Sequence, residues 1–158
     1  MQLLKATAQD KSIIQNLMQL YMYDFSEFVE LDVEPDGLFA AYKNLDDYWT
    51  DPANRFPYII RKNENPTGFA LVRLIKTGPQ NYFSMGEFFI LRKYRRTGIG
   101  KDIAIQLFNI HKGNWEIFQR ENNKPAQLFW RNVIAEYANG NFTEYFEKGK
   151  LIQQFKSL

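Results

Sequence analysis

One stretch of the chain joins an apolar strand-like run, a basic turn rich in glycine and the start of a helix. Residues 88–91 are apolar, residues 92–96 are mostly basic, and residues 97–100 (Thr-Gly-Ile-Gly) open a segment with helical periodicity. Glycine lets the backbone turn tightly, and the free amides at the start of a helix point toward one concavity. This order of elements predicts a binding site for a phosphate or another anion, in a chain that contains both strands and helices.

Hydrophobic periodicity predicts the element order β-α-α-β-β-β-α-β-α-β-β. Helices are expected after a capping box at Thr7 and Asp10, and at residues 38–45, 99–110 and 126–137. The fold class is therefore α/β (α+β), with a mixed central sheet of about six to seven strands flanked by four helices. The expected strands are residues 2–5, 58–61, 68–75, 82–91, 115–119, 142–147 and 151–155.

The composition excludes several kinds of site. We expect the 158 residues to form one domain over residues 1–158. The chain contains no cysteine, so neither a disulfide nor a thiol nucleophile is available. The single histidine, His111, argues against a histidine metal site, and we predict no metal. No apolar run approaches the ~20 residues of a membrane span, and the first residues do not resemble a signal peptide. We expect a cytoplasmic protein with no membrane partner.

Charge is distributed unevenly along the chain. The formal net charge is +2, yet residues 92–101 contain only basic charged side chains. Residues 24–51 are the reverse, with nine acidic side chains against Lys43 alone. Positive charge confined to the glycine turn favours a local anion over a nucleic-acid surface, and we predict no nucleic-acid partner. Nucleic-acid binding by residues 92–101 remains a third alternative for the function.

Two familiar phosphate-binding motifs fail on spacing. No Walker-type loop is present, and a dinucleotide fingerprint would need glycine where Ile103 stands. The run from Arg95 to Gly100 (Arg-Arg-Thr-Gly-Ile-Gly) instead resembles the R/Q-x-x-G-x-G/A signature with which the GNAT superfamily of N-acetyltransferases binds acyl-CoA. A second element, from Asn123 to Trp130, is similar to the N-x-x-A-x-x-F/L-Y element that also faces CoA in that family.

The resemblance implies that acetyl-CoA is the acyl donor, and it assigns residues to the parts of that molecule. The amide of Asn123 would bond the pantetheine arm, and Trp130 would pack on the pantetheine or in the core. The main chains of Phe88, Phe89 and Ile90 would hold the pantetheine and the acetyl carbonyl. The residues implied to surround the pyrophosphate are Arg96, Thr97, Gly98, Ile99, Gly100 and Lys101, with added charge from Arg95.

Attack of an amine on a thioester requires a group that takes a proton, and it requires no covalent enzyme intermediate. Glu87 is the candidate base because it precedes the strand residues expected beside the thioester; a glutamate on the solvated side of a twisted strand is the alternative. The amide of Ile90 is the candidate for stabilising the oxyanion. Trp130 stands where the family often has a tyrosine acid, and indole cannot supply that proton. The acid is then Tyr137, Tyr94 or water.

The resemblance therefore implies transfer of an acetyl group from acetyl-CoA to a primary amine. In this superfamily the first two helices and their connection form one wall of the acceptor site. The acidic character of residues 24–51 predicts a cationic small molecule or a peptide amino group as acceptor, with a merely solvated acidic loop as the alternative. A module of the same fold that binds acyl-CoA without catalysis is the alternative function.

Three further features are assigned from the sequence. The aromatic side chains Tyr21, Tyr23, Phe25 and Phe28 fit either the core or a pocket. His111 is expected at a helix C-terminus for electrostatic reasons. Edge strands in the C-terminal hairpin leave a homodimer open.

Overall fold

The computed structural model describes all 158 residues of the chain. The helices are α1 (Lys11–Phe25), α2 (Asp47–Thr50), α3 (Ile99–Ile110) and α4 (Lys124–Tyr137). Two short 3-10 turns, Ala8–Asp10 and Arg92–Tyr94, precede α1 and α3. The strands are β1 (Gln2–Lys5), β2 (Arg55–Lys62), β3 (Asn65–Thr77), β4 (Gln80–Ile90), β5 (Gly113–Arg120), β6 (Phe142–Glu147) and β7 (Lys150–Ser157).

The strands form one seven-stranded sheet in the order β1-β2-β3-β4-β5-β7-β6. All neighbouring strands are antiparallel except β4 and β5, which are parallel. The predicted mixed sheet, the number of helices and the order of elements along the chain are confirmed, whereas the predicted position of the second helix is not. No helix combines the length and the apolar character that a membrane crossing requires.

Each face of the sheet buries its own apolar cluster. On one face, α3 and α4 pack against the sheet through side chains such as Leu107, Phe108 and Trp130. On the other face, Ile14 and Met18 of α1 pack with residues of β2, β3 and β4. Because the central strands are covered on both faces, β3 carries the nearly continuous apolar run that the sequence shows.

The parallel pair β4 and β5 separates along its length. The two strands are paired only at Phe83 with Trp115 and at Ser84 with Glu116. Beyond these residues β4 continues to Ile90 and β5 to Arg120, so the two ends diverge. The divergence leaves one edge of β4 without a strand partner, and this edge leads into the glycine turn.

A β-bulge at Gly86 sets the direction of the side chains at the end of β4. Leu71 of β3 is opposite Glu87, whereas the next residue, Val72, is opposite Met85, so Gly86 is the additional residue. A Cβ atom at Gly86 would lie 2.8 Å from the hydroxyl oxygen of Tyr48 and 3.0 Å from the carbonyl oxygen of Leu71. Only glycine fits there without displacing its neighbours.

The helix predicted at residues 38–45 is wrong, because those residues form no helix. The side chain of Gln19 on α1 binds both main-chain groups of Phe39, at 3.0 Å to the carbonyl and 2.8 Å from the amide. Asn44 then has a left-handed backbone with φ of 61°. Tertiary contacts therefore override the local helical spacing, and a single helical turn forms later, at Asp47–Thr50.

Candidate functional site

A cleft of about 930 Å³ lies between the C-terminal end of α1, the end of β4, the glycine turn and the first turns of α4. This volume is within the range of roughly 300–1,000 Å³ that is typical of ligand pockets. Thr97 and Ile99 belong to the same turn but do not line the cleft. Of the residues predicted to bind the donor, those lining it are Phe88, Phe89, Ile90, Arg95, Arg96, Gly98, Gly100, Lys101, Asn123 and Trp130.

The glycine turn presents unused main-chain donors to this cleft. Arg96 and Gly98 both have left-handed backbones, with φ of 60° and 86°, and the first main-chain bond of α3 runs from the amide of Asp102 to the carbonyl of Gly98. None of the main-chain amides from Arg96 to Lys101 has an acceptor within the chain. Amides free at a helix N-terminus, next to basic side chains, suit a phosphate.

Gly100 brings α3 and α4 close together at this end of the cleft. A Cβ atom at this position would lie 3.2 Å from Cε2 of Phe129. The ring of Phe129 in turn stacks on Phe88 of β4, with 5.9 Å between ring centroids. A larger residue at Gly100 would displace the ring of Phe129, which forms part of the cleft wall. This position is therefore constrained by packing rather than by its backbone angles.

Main-chain alternation decides which strand residues can offer backbone bonds to the cleft. The amide of Leu91 donates to the carbonyl of Thr67 on β3 at 2.9 Å. Because the main-chain groups of alternate residues face the same neighbouring strand, those of Phe89 also face β3. The main-chain groups of Phe88 and Ile90 therefore face the unpaired edge. This geometry favours Phe88 and Ile90 for main-chain contacts with a ligand and argues against Phe89. The side chain of Phe89 instead packs on the α1 face.

Several basic side chains around the cleft already have partners. Nε of Arg95 donates to the carbonyl of Ile90 at 2.6 Å, and its terminal nitrogen is paired with Asp24 at the end of α1. Arg92 is paired with the same carboxylate at 2.7 Å. Arg95 therefore ties α1 to β4, and the direct phosphate contact predicted for it is not the role that its geometry favours.

Lys101 forms an ion pair, whereas Arg96 does not. Nζ of Lys101 lies 2.9 Å from a carboxylate oxygen of Glu136 on α4, which raises the pKa of that lysine. Arg96 forms no ion pair, and its exposed side chain lines the cleft. Among the basic side chains of the turn that line the cleft, Arg96 is therefore the one without an ion pair and is free to meet an anion.

The N-terminal end of α4 is organised by Asn123. Its side-chain oxygen accepts a hydrogen bond from the amide of Ala126 at 3.1 Å, which caps the helix. The side-chain nitrogen of Asn123 has no partner in the chain and is free to donate into the cleft. Trp130 is buried and packs on Phe88 and Phe129, so it contributes an apolar wall.

Glu87 lies on the opposite face of β4 from Phe88 and accepts hydrogen bonds from two tyrosines. The hydroxyl of Tyr21 on α1 donates to one carboxylate oxygen, and that of Tyr42 donates to the other at 2.6 Å. Burial raises the pKa of Glu87, while both hydrogen bonds and the charge of Arg73 oppose this shift. The solvated position considered from the sequence is therefore wrong, and a carboxyl whose pKa is raised in this way is suited to take up a proton.

The two tyrosines are the site residues that the sequence did not identify as such. Tyr21 repeats at helical spacing with apolar residues, which indicates only that it faces inward, and Tyr42 falls in the segment wrongly predicted as helix. Burial raises the pKa of Tyr21 and of Tyr42, and the charge of Glu87 adds to this. Both hydroxyls therefore stay protonated at neutral pH.

The tyrosines suggested as acids lie elsewhere. The hydroxyl of Tyr137, at the C-terminal end of α4, is bonded to Asn109 of α3 at 2.9 Å and to Ser157 of β7 at 2.7 Å. Tyr94 contacts the side chains of Lys62 and Lys93. Neither residue lines the cleft.

His111 occupies the predicted position at the end of α3, but for a different reason. Its Nε2 lies 2.8 Å from the hydroxyl of Tyr58, and the residue is buried. Burial lowers the pKa of His111 to about 4, with a further contribution from Lys5. The imidazole is therefore neutral at pH 7, and its position does not depend on a charge interaction with the helix.

The model of the acetyltransferase (GNAT) family matches residues 14–133, which is more than half of the chain. Comparison with curated protein sequences finds no match. Solved structures of similar fold include the PaiA N-acetyltransferase of Thermoplasma acidophilum in complex with coenzyme A, with 10% identity, a TM-score of 0.67 and 98% of each chain covered.

Two other solved structures resemble the chain over nearly its full length. The ribosomal-protein-S18-alanine N-acetyltransferase of Escherichia coli has 10% identity and a TM-score of 0.65, with 99% of this chain and 93% of that chain covered. An acetyltransferase of the GNAT family from Staphylococcus aureus Mu50 has 14% identity and a TM-score of 0.65, with 99% of each chain covered. At these identities the structural likeness is a likeness of fold.

Proposed function

The chain belongs to the GNAT acetyltransferase family, and from this premise we propose that it transfers an acetyl group from acetyl-CoA to a primary amine. The observation that carries the proposal is the set of unbonded amides from Arg96 to Lys101, which open onto the same cleft as the free edge of β4. Glu87 and its two tyrosines lie on the other face of that strand. The coenzyme A complex of the structurally similar PaiA N-acetyltransferase supports the same choice of donor.

The donor is proposed to lie along the unpaired edge of β4. The amides of the glycine turn, together with Arg96, bind its pyrophosphate, because free donors and positive charge converge there. The side-chain nitrogen of Asn123 and the main chains of Phe88 and Ile90 bind the pantetheine arm. The amide of Ile90 stabilises the negative charge that develops on the acetyl oxygen.

The chemistry proposed for this arrangement is direct transfer. The amine nitrogen forms a bond to the acetyl carbon, the bond from that carbon to sulfur breaks, and the electron pair leaves with the thiolate. Glu87 takes up the proton that the nitrogen loses, which its raised pKa favours. The leaving thiolate takes a proton from water, since neither Tyr94 nor Tyr137 reaches the cleft.

We propose a cationic acceptor. A second cavity of about 500 Å³ lies between α1 and residues 41–47, and its lining includes Tyr42, Asp46 and Asp47. Asp46 is partly neutralised by Lys11 at 2.7 Å, whereas Asp47 forms no ion pair. Negative charge close to the tyrosine that contacts Glu87 favours a polyamine, an aminoglycoside or a peptide amino group over a neutral amine.

The alternative function is an acyl-CoA-binding module without catalysis. One observation favours this alternative. Trp130 occupies the position where the family often has a tyrosine acid, and it is packed against Phe88 and Phe129, so no general acid is assigned. In that case the cleft would bind the donor, and no amine would accept the acetyl group.

The experiment that separates these functions measures release of the CoA thiol from acetyl-CoA with a panel of amines. Transferase activity predicts release that depends on the amine and is higher with a polyamine, an aminoglycoside or a peptide amino group than with neutral amines. Equal turnover of neutral and cationic amines would contradict the cationic acceptor. Tight binding of CoA without turnover of any amine would favour the binding module.

A further inference from the structure

Arg73 on β3 carries a positive charge that nothing in the chain pairs with. The residue is half-buried, and its Nε is buried without a hydrogen-bond partner. Its terminal nitrogens donate to no atom of the chain either, and they are not fully buried. The guanidinium forms no ion pair and lies over no aromatic ring. A partly buried charge without a partner is costly and therefore calls for an explanation.

The other arginines of the chain have partners or are exposed. Carboxylates pair with Arg61, Arg92, Arg95 and Arg131. Aromatic rings lie beneath Arg55 and Arg120, at 5.7 and 5.9 Å from the ring centroids. Arg96 is exposed in the glycine turn. Arg73 therefore differs from all of them, because it is partly buried and contacts neither an acid nor a ring.

Arg73 and Glu87 face the same side of the sheet. Leu71 of β3 is opposite Glu87, and Arg73 follows Leu71 by two residues, so alternation brings both side chains to one face. The spacing of neighbouring strands and of residues along a strand places the two Cα atoms about 8 Å apart. A Cβ atom at Gly86 would lie 3.2 Å from Nε of Arg73, so the arginine crosses the bulge next to Glu87.

Glu87 does not neutralise Arg73, although the two residues are close. Both carboxylate oxygens of Glu87 accept hydrogen bonds from tyrosines, and neither is within ion-pair distance of the guanidinium. The charge of Arg73 still lowers the pKa of Glu87. The other titratable groups near Arg73 are Tyr42, Tyr48 and Tyr82, whose pKa values are raised, so they stay uncharged. The outer edge of the guanidinium is therefore available to an anionic group of a ligand.

We propose that Arg73 binds a carboxylate of the acceptor, and that the acceptor is an amino acid with an amine on its side chain, such as lysine or ornithine. This inference rests on the proposed acetyl transfer and selects one class among the cationic amines. The terminal nitrogens of a guanidinium match the two oxygens of a carboxylate. An α-amino group lies directly next to its carboxylate, whereas a lysine or ornithine side chain is long enough to extend from Arg73 toward Glu87.

Tyr21 connects this subsite with the donor cleft, because it lines the cleft and donates a hydrogen bond to Glu87. The side-chain amine reacts at this end of the cleft while the carboxylate stays on Arg73. The nitrogen bonds to the acetyl carbon, the thiolate leaves with the electron pair of the carbon–sulfur bond, and the proton lost by the nitrogen passes to Glu87. The product is an amino acid acetylated on its side-chain nitrogen.

The first test needs only the wild-type protein. It compares lysine with cadaverine, which is the same diamine without the carboxylate, and with lysinamide, in which the carboxylate is an uncharged amide. Ornithine and putrescine form a second pair. The kcat/KM for the better of the two amino acids is expected to exceed that for its diamine about 30-fold. NMR of the product should place the acetyl group on the side-chain nitrogen.

Equal kcat/KM for each amino acid and its diamine, or acetylation of the α-amino group, would overturn the carboxylate subsite and leave the acetyl transfer intact. A lysinamide that reacts as well as lysine would overturn it too. A protein that turns over no amine would overturn both proposals.

The second test replaces Arg73. Arg73→Gln is expected to raise the KM for the amino acid about 30-fold and to leave the KM for the diamine unchanged. Loss of this charge also raises the pKa of Glu87, but that change affects both acceptors alike. Lys76→Gln is the matched control, since it removes a positive charge from an exposed position of the same strand and should change neither KM.

An unchanged Kd for CoA shows that the Arg73→Gln variant is folded, and the wild-type comparison decides the matter if it is not. In a folded variant, an equal rise in KM for the amino acid and the diamine would show that Arg73 acts through Glu87 and would overturn the subsite. An unchanged KM for the amino acid would overturn it as well.

Discussion

Gly86 and Glu87 point to the same face of the sheet although they are consecutive residues of one strand. The bulge at Gly86 produces this arrangement, because an extra residue is accommodated opposite the step from Leu71 to Val72. Without the bulge, alternation would place Glu87 among the side chains under α4. With it, the carboxylate faces the helix that carries Tyr21.

The first prediction concerns replacement of Glu87 by glutamine. The side chain keeps its size and loses its ability to take up a proton, so Glu87→Gln is expected to lower kcat by roughly 100-fold with little change in the Kd for CoA. In the wild type, kcat falls as the pH is lowered through the pKa of Glu87, which burial holds above its ordinary value. This limb is absent from the variant.

The control for this prediction is Glu147→Gln on the exposed end of β6, which is expected to leave the pH–rate profile unchanged. A Glu87→Gln protein with wild-type kcat and an unaltered acid limb would show that another group accepts the proton.

The second prediction concerns the left-handed backbone at Gly98. No atom lies within 4 Å of a Cβ built there, so alanine is disfavoured only by its conformation, at a cost of about 1–2 kcal/mol. Gly98→Ala should weaken CoA binding because it changes the direction of the free amides. Gly78→Ala is the matched control, since Gly78 also has a positive φ, of 63°, and open space but lies in the turn between β3 and β4.

Both glycine variants are expected to lose a similar part of their free energy of unfolding in urea titrations. Only Gly98→Ala should lose affinity for CoA by calorimetry. Equal CoA affinities in the two variants would mean that the turn does not bind the pyrophosphate.

The third prediction concerns the pair formed by Lys101 and Glu136. The carboxylate of Glu136 competes with a phosphate for Lys101 and adds negative charge to the cleft wall. Glu136→Gln is expected to tighten CoA binding about threefold at low salt, with a smaller gain at high salt because both side chains are exposed. Calorimetric titrations at two salt concentrations measure this effect, and weaker binding by the variant would contradict it.

The fourth prediction concerns the buried His111. Burial lowers its pKa from 6.5 to about 4 in the folded protein, so the unfolded chain binds a proton between these values and the folded protein does not. The free energy of unfolding therefore falls as the pH is lowered from 6.5 to 4, by roughly 3 kcal/mol in all. His111→Gln should remove this part of the pH dependence. The free energies of unfolding of both proteins are measured in urea at several pH values. The same decrease between pH 6.5 and pH 4 in both proteins would contradict the prediction.

Much of the fold and half of the candidate site could be predicted from the sequence because their signals are local. The strand, turn and helix around Gly98 are contiguous, and so is the cap at Asn123. The partners of Glu87 are not local, since Tyr21 and Tyr42 are 66 and 45 residues away. Periodicity reports which side of a helix is buried, and it does not report which carboxylate a buried hydroxyl meets.

The pairing of Arg95 and the wrong helix prediction at residues 38–45 have the same physical origin. The sequence predicts Arg95 as a phosphate ligand because its neighbours in the chain are basic, and in the structure its partner is Asp24, 71 residues away. Residues 38–45 have helical spacing, but Gln19 binds the main chain of Phe39 in both directions. In each case a contact distant in sequence outweighs the local preference.

The measurement that tests the central claim most directly is a titration of isotope-labelled protein with CoA, followed by amide NMR. Binding at the glycine turn predicts that the largest shifts fall on the amides from Arg96 to Lys101, which gain an acceptor, with further shifts at Phe88 and Ile90. Gly78 and its neighbours should not shift. Shifts confined to other surfaces, or no shift at saturating CoA, would contradict the account.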